Sequence, residues 1–229
     1  MNYSQIKDDF FSNGFVHINN GKGKFDVETV EEILEHFGKA LIVGKHHTEG
    51  DKRLQVVSED HMFGAEDLDW HTDQSYSPGN YNGTILAFGE ADHETYTEFA
   101  DMQKAYDDLP AHILEYYNTV RCTYGIPHNL DDLISPAQKR IIEKNKAEWP
   151  LVIRHPVTNK KTLYFSPVTL VETSRPLEVE ALVKYCEKFT FRHYWSPGDI
   201  LLWDNRRVIH RRPAFEGHRR LYRICFKYE

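Results

Sequence analysis

"WSPGDILLWDNRRVIHRR", residues 195–212, decides how the chain folds. A turn signal at Pro197-Gly198 launches the apolar run Ile200–Trp203, and the stretch closes on polar residues before reaching His210. A short apolar run bounded by Pro, Gly and Asn reads as a strand. Working outward, "RRLYRICFKY" (219–228), "KTLYFSP" (161–167), "WPLVIRHP" (149–156), "GTILAFGE" (83–90) and "FVHI" (15–18) have the same character. Helical periodicity enters between them. Val27, Val30, Ile33, Leu34 and Phe37 recur at helical spacing behind Asp26 as a candidate cap, with a strand expected around Ala40–Val43. Phe99, Met102, Ala105, Tyr106 and Leu109 also read helical, and further helices are expected at about 136–144 and 176–189. Short strands with polar turns, a few helices and no βαβ alternation predict a mainly β protein with flanking helices, a sandwich or barrel.

At 229 residues the chain is long enough for one sizeable core, and one domain over 1–229 is expected, with a polar insertion at about 128–150. A formal charge of -7 leaves no global cationic excess to neutralise phosphates, so nucleic acid is not expected as a partner. The widely spaced Cys122, Cys186 and Cys225 read as reduced packing residues. No leader pattern or membrane-length apolar run occurs, which predicts a cytoplasmic protein without a membrane partner; a homo-oligomer is compatible.

Chemistry concentrates in "DLDWHTDQSYSPGNY", residues 67–81. On an extended strand residues i and i+2 share a face, so His71 and Asp73 can offer an imidazole and a carboxylate to one ion. Among thirteen histidines such a triplet arises by chance, and His47-Thr48-Glu49 repeats it. A facial triad needs a second histidine and leaves three positions open at Fe(II). His210 is the best candidate, since His218 sits in a turn beside Gly217; taken alone, His210 reads first as a strand-end surface residue. In "HRRLYRICFKY" strand parity puts Arg219, Leu221, Arg223 and Cys225 on one face and Arg220, Tyr222, Ile224 and Phe226 on the other. Two arginines about 13 Å apart on one face could grip carboxylates, or simply be solvated.

The ordered blocks "WHTDQSY", "TEFADMQKAYDDLP", "IRHPVTNKKTLYFS", "GDILLWDNRRVIH" and "RRLYRICF", spanning about residues 67–226, together resemble the taurine dioxygenase and 2,4-dichlorophenoxyacetate dioxygenase family. The resemblance implies a double-stranded β-helix, a cupin-like jelly roll. It implies Fe(II) held by His71, Asp73 and His210, with 2-oxoglutarate and O2 as cosubstrates. It makes Thr97 a 2-oxoglutarate residue, with Thr95 as a competitor and helix capping as its other role. Arg219 would pair with the distal carboxylate of 2-oxoglutarate, and Arg223 would lie near its other end or near an anionic substrate group. The segment between His210 and the arginines is shorter than in taurine dioxygenase, which leaves the division among Arg219, Arg220 and Arg223 open. Trp203, Asp204 and Asn205 would aim the strand.

The implied activity couples decarboxylation of 2-oxoglutarate to succinate and CO2 with hydroxylation, or related C–H oxidation, of a small anionic or amino-acid-like substrate. The turn after the two ligands points to Tyr76, Asn80 and Tyr81 as substrate neighbours. Two other readings are a carrier-tethered or peptide substrate, and a non-catalytic jelly-roll binding protein.

Overall fold

The computed structural model describes residues 2–42, 53–60, 64–77, 81–125 and 146–228. It begins with a helix the sequence periodicity did not indicate, α1 (Tyr3–Asn13), ended by Gly14 at φ 75°, whose N–H returns to Phe10 O. After β1 (Phe15–Asn19) comes α2 (Val27–Phe37), capped as expected: the Asp26 carboxylate accepts from Thr29 N, and Val30, Ile33, Leu34 and Phe37 are buried. Then follow β2 (Gly38–Ala40), β3 (Gln55–Ser58), β4 (Leu68–His71), β5 (Gly83–Ala91) and β6 (Tyr96–Asp101). Here one expectation is corrected. Phe99 is a strand residue, because its backbone pairs across the sheet, and the helix α3 (Met102–Asp108) starts only where Asp101 accepts from the N–H groups of Gln103 and Lys104. Thr97 therefore lies in a strand and caps no helix.

The chain continues through α4 (Ala111–Tyr117), β7 (Arg121–Tyr124), β8 (Ala147–Pro150), β9 (Val152–Arg154), β10 (Lys161–Leu163), β11 (Leu170–Thr173), α5 (Val179–Cys186) and β12 (Thr190–Tyr194). Residues 199–212 form two strands, β13 (Asp199–Asp204) and β14 (Val208–Arg212), because the polar Asn205-Arg206-Arg207 segment turns the chain back. β15 (Arg219–Tyr228) closes the fold. The helix expected at 136–144 and most of the polar insertion lie outside the described residues, as do His47, Glu49 and Val43.

Two antiparallel sheets face each other. The larger has the order β1-β13-β5-β15-β2, with β3 also on β15; the smaller is β12-β6-β14-β4. Leu86, Phe88, Leu201, Trp203 and Leu221 of the larger sheet meet Phe99 and Val208 of the smaller in one buried cluster. Fully burying each such side chain stabilises by about 1.5–3 kcal/mol, so packing the two apolar faces together holds the sheets to one another. The outer face of the larger sheet is covered by α1 and α2 through Phe10, Ile33, Phe37, Ile224 and Phe226. A third cluster, including Trp70, Met102, Cys122, Phe165 and Cys186, packs behind the smaller sheet. All three cysteines are buried and free. Among the described residues no helix is long and apolar enough to cross a membrane.

Candidate metal centre and anion pocket

Strand register brings the two expected histidines together. His210 on β14 pairs directly with His71 on β4, and their ring centroids lie 4.1 Å apart. Asp73 arrives differently from the period-2 reading: β4 ends at His71, and Asp73 enters through the following turn, where Gln74 takes a left-handed φ of 58°. The outcome is still convergent. His71 Nε2 is 3.9 Å from Asp73 Oδ1, and His210 Nε2 is 3.9 Å from Asp73 Oδ2. The three ligand atoms fall within 4.8 Å of one another, and all three residues are buried.

The surroundings prepare these atoms for a cation. His71 Nδ1 lies 2.8 Å from Asp69 O, a carbonyl that can only accept, so Nδ1 carries the proton and Nε2 presents a lone pair. Burial is the main cause holding both imidazoles below the usual histidine range; for His210 the adjacent His71 adds to it, whereas for His71 the carboxylate of Asp73 opposes it. Neutral imidazole is the form that ligates. Burial alone would raise the Asp73 carboxyl, but Arg223, His210, His71 and the Thr84 hydroxyl outweigh it and hold the pKa down to about 2.

The Asp73 contacts also show what the sequence reading missed. Asn205 Oδ1 accepts from Trp203 Nε1 and from Asp73 N, which leaves its amide N–H to donate to Thr84 Oγ1 at 2.8 Å. Thr84 therefore sends its own proton to Asp73 Oδ2 at 2.9 Å. Arg223 donates from Nη1 to Asp73 Oδ1 at 2.8 Å and from Nε to Gln55 Oε1 at 3.0 Å. Its guanidinium thus rests on the carboxylate between the histidines. No local pattern signals Thr84, which β5 places by pairing with both β13 and β15.

A cavity opens beside the histidines, lined by Thr97, Arg212, Arg219 and Arg223 together with Leu86 and Trp203. Arg219 and Arg223 do share a face, as strand parity indicated, while Arg220 does not line this cavity. Arg219 is 1% exposed, and among the described residues no carboxylate ion-pairs with it. Burial, then the neighbouring Arg212 cation, pull its pKa down to about 9. Arg212 is clamped by the carbonyls of Gly64 and Glu66. Two buried guanidiniums thus put positive charge on the cavity wall. Arg212 was legible, since it lies two residues beyond His210 and so on the same strand face. Thr97 Oγ1 accepts from Trp195 Nε1 at 3.0 Å, so its own proton is available to a ligand.

Of the expected substrate neighbours, Tyr76 is close enough to Arg223 and Asp73 for their charges to act on its hydroxyl, whose pKa burial raises. Tyr81 lines a separate, small cavity with Gln74, Trp149, Tyr164, Asn205 and Arg206. Asn80 lies outside the described residues. His218 is not at the site; it bonds to Glu59 and lies 3.2 Å from Glu90.

The buried His-Asp-His set and its arginine pocket fit a divalent metal with a dicarboxylate beside it. Comparison with known proteins agrees. The family model described as "Taurine catabolism dioxygenase TauD, TfdA family" matches residues 2–225. An alpha-ketoglutarate-dependent 2,4-dichlorophenoxyacetate dioxygenase from Burkholderia sp. (strain RASC) is 28% identical over 210 residues, covering 86% of this chain and 66% of the relative. An alpha-ketoglutarate-dependent sulfonate dioxygenase from Saccharomyces cerevisiae is 31% identical over 207 residues, covering 79% of this chain and 49% of the relative. The chain thus spans less than two thirds of either relative. A crystal structure of a taurine dioxygenase from Burkholderia xenovorans superposes with a TM-score of 0.78 at 21% identity, over 99% of this chain and 80% of that one, which bears on the jelly-roll fold.

Proposed function

This chain belongs to the taurine catabolism dioxygenase TauD, TfdA family, and from that premise we propose that it is a 2-oxoglutarate-dependent Fe(II) dioxygenase acting on a small anionic or amino-acid-like substrate. His71, Asp73 and His210 hold the iron, and residues 1–229 work as one catalytic domain. The observation that carries the reading is the pairing of a buried His-Asp-His set with a nearly inaccessible arginine that lacks a carboxylate among the described residues.

Bound with 2-oxoglutarate, Fe(II) supplies O2 activation coupled to decarboxylation, giving succinate and CO2 and placing one oxygen atom on a substrate C–H carbon. The chain's residues do the rest. Arg219 grips the distal carboxylate of 2-oxoglutarate through its planar fork, and the Thr97 hydroxyl, already held by Trp195, donates a further hydrogen bond. Arg212 adds positive charge next to that fork. Arg223 and Thr84 each hold one oxygen of Asp73, keeping its carboxylate ionised and oriented between the imidazoles. Leu86 and Trp203 make the cavity wall apolar, which excludes water and strengthens the charge interactions inside. Tyr76, in the segment after Asp73 and close to Arg223, borders the substrate.

The test is succinate formation from 2-oxoglutarate with Fe(II), O2 and candidate carboxylates, sulfonates and amino acids. Substrate-stimulated turnover that disappears in His71→Ala is expected, together with a weak visible charge-transfer band on anaerobic addition of Fe(II) and 2-oxoglutarate. Turnover undiminished in His71→Ala would sink the assignment.

A further inference from the structure

A second set of ligand-type side chains converges on the flank of the barrel. His17 on β1, His193 on β12 and Asp199 at the head of β13 bring ligand atoms within 4.8 Å of one another. His17 Nε2 lies 2.7 Å from Asp199 Oδ1, and His193 Nε2 lies 3.0 Å from Asp199 Oδ2. The imidazole centroids are 4.7 Å apart. β1 and β13 belong to the larger sheet and β12 is the edge of the smaller, so the cluster spans the seam between them. Asp199 is 3% exposed, whereas the His17 side chain is 43% exposed and opens the cluster to solvent.

The carboxylate is aimed without help from the histidines. Asn19 Nδ2 donates to Oδ1 at 3.0 Å and Ser196 N donates to Oδ2 at 2.8 Å. Each oxygen therefore has one fixed donor and one imidazole. A cation replacing the two imidazole protons would leave both fixed hydrogen bonds intact, and such outer contacts are what orient a carboxylate ligand.

We infer that His17, His193 and Asp199 form a second metal site, for Zn(II), distinct from the His71-Asp73-His210 centre. Two imidazoles and one carboxylate suit a late first-row divalent ion, with water as fourth ligand on the solvent side. Zn–N and Zn–O bonds of about 2.0–2.2 Å in tetrahedral geometry separate ligand atoms by roughly 3.3 Å. The cluster must widen by about half an ångström from its hydrogen-bonded distances, and the exposed His17 side chain has room to give it. The bound ion would brace the seam between the sheets. It would also fix His193, whose ring stands edge-on to Trp195 at 5.0 Å, the residue whose indole holds Thr97.

The protein is dialysed against Zn(II) and its metal content measured. Wild type is expected to bind two ions per chain, His17→Gln one and His71→Ala one. Gln keeps a hydrogen-bond donor to Asp199, so the metal-free variant should melt with wild type while its Zn(II) affinity at this site falls at least about 100-fold, beyond the 10–100-fold of an outer-contact change. Co(II) gives an independent readout, a tetrahedral visible spectrum retained in His71→Ala and lost in His17→Gln. Equal Zn(II) content in wild type and His17→Gln, or a Co(II) spectrum that survives His17→Gln, overturns the site. Should the proposed iron centre be wrong, His71→Ala would not change the count, while the His17→Gln loss would stand.

Discussion

Arg219 shows what a single side chain implies when its environment is unfavourable to it. A guanidinium at 1% exposure beside a second guanidinium is costly to hold in the metal-free protein, and that cost is relieved when a carboxylate arrives. Arg219→Ala is expected to raise the KM for 2-oxoglutarate by about 30- to 150-fold, from the roughly 2–3 kcal/mol of a charge-assisted hydrogen-bond pair. Arg219→Met, in contrast, should leave the melting temperature of the ligand-free protein unchanged or higher. An unaltered KM would remove Arg219 from the pocket's function. Thr84 acts on the other half of the site. Thr84→Val keeps the shape but leaves one Asp73 oxygen and the Asn205 amide without their partner, so Fe(II) affinity should fall by about 10- to 100-fold in an anaerobic titration.

Elements are held in register by cross-strand chemistry, most visibly on the outside of the smaller sheet. Glu98 on β6 stands opposite Arg192 on β12 and Arg211 on β14, and it accepts from both at 2.6 and 2.5 Å. Burial alone would raise the Glu98 carboxyl, but the two arginines outweigh it and hold it below the usual range. Arg192 is half-exposed and solvent screens its bond, so Arg211, which also reaches Glu187, carries more of the effect. Glu98→Gln should destabilise by about 1–3 kcal/mol at neutral pH. A carboxyl with a depressed folded pKa contributes its stability in full above its unfolded value and loses it as pH falls through the folded one. The gap between wild type and Glu98→Gln in urea unfolding should therefore close below about pH 4; a gap that widens there would contradict the triad's role.

At the scale of the whole molecule, the site sits where two sheets meet: the larger sheet gives Arg219, Arg223 and Thr84, and the smaller gives His71, Thr97 and His210. A ligand touching both sheets must stabilise their union. Fe(II) with 2-oxoglutarate, added anaerobically at about 100 times the dissociation constant, should stabilise by about 2.7 kcal/mol, a rise of roughly 5–10 °C in melting temperature. Arg219→Ala should lose the 2-oxoglutarate increment and keep the metal one. Much of this arrangement was legible in the chain. Strand parity put Arg219 and Arg223 on one face, helical spacing located α2 and its Asp26 cap, and turn residues bounded the strands, because these are local periodicities of the backbone. Phe99 was misread as helical since an apolar residue at the end of a strand and one at the start of a helix look alike in a spacing count. Other features existed only once the sheets closed. Asp73 reaches the histidines through a turn, Arg223 rests on Asp73 across 150 positions, and Thr84 and Asn205 relay a hydrogen bond to it across 121. The sequence by itself determined which faces are apolar and which residue types are available to a metal and a carboxylate. Only the tertiary structure decided which charges meet, because partners far apart in sequence are brought together by strand pairing and sheet packing, to which no local periodicity responds.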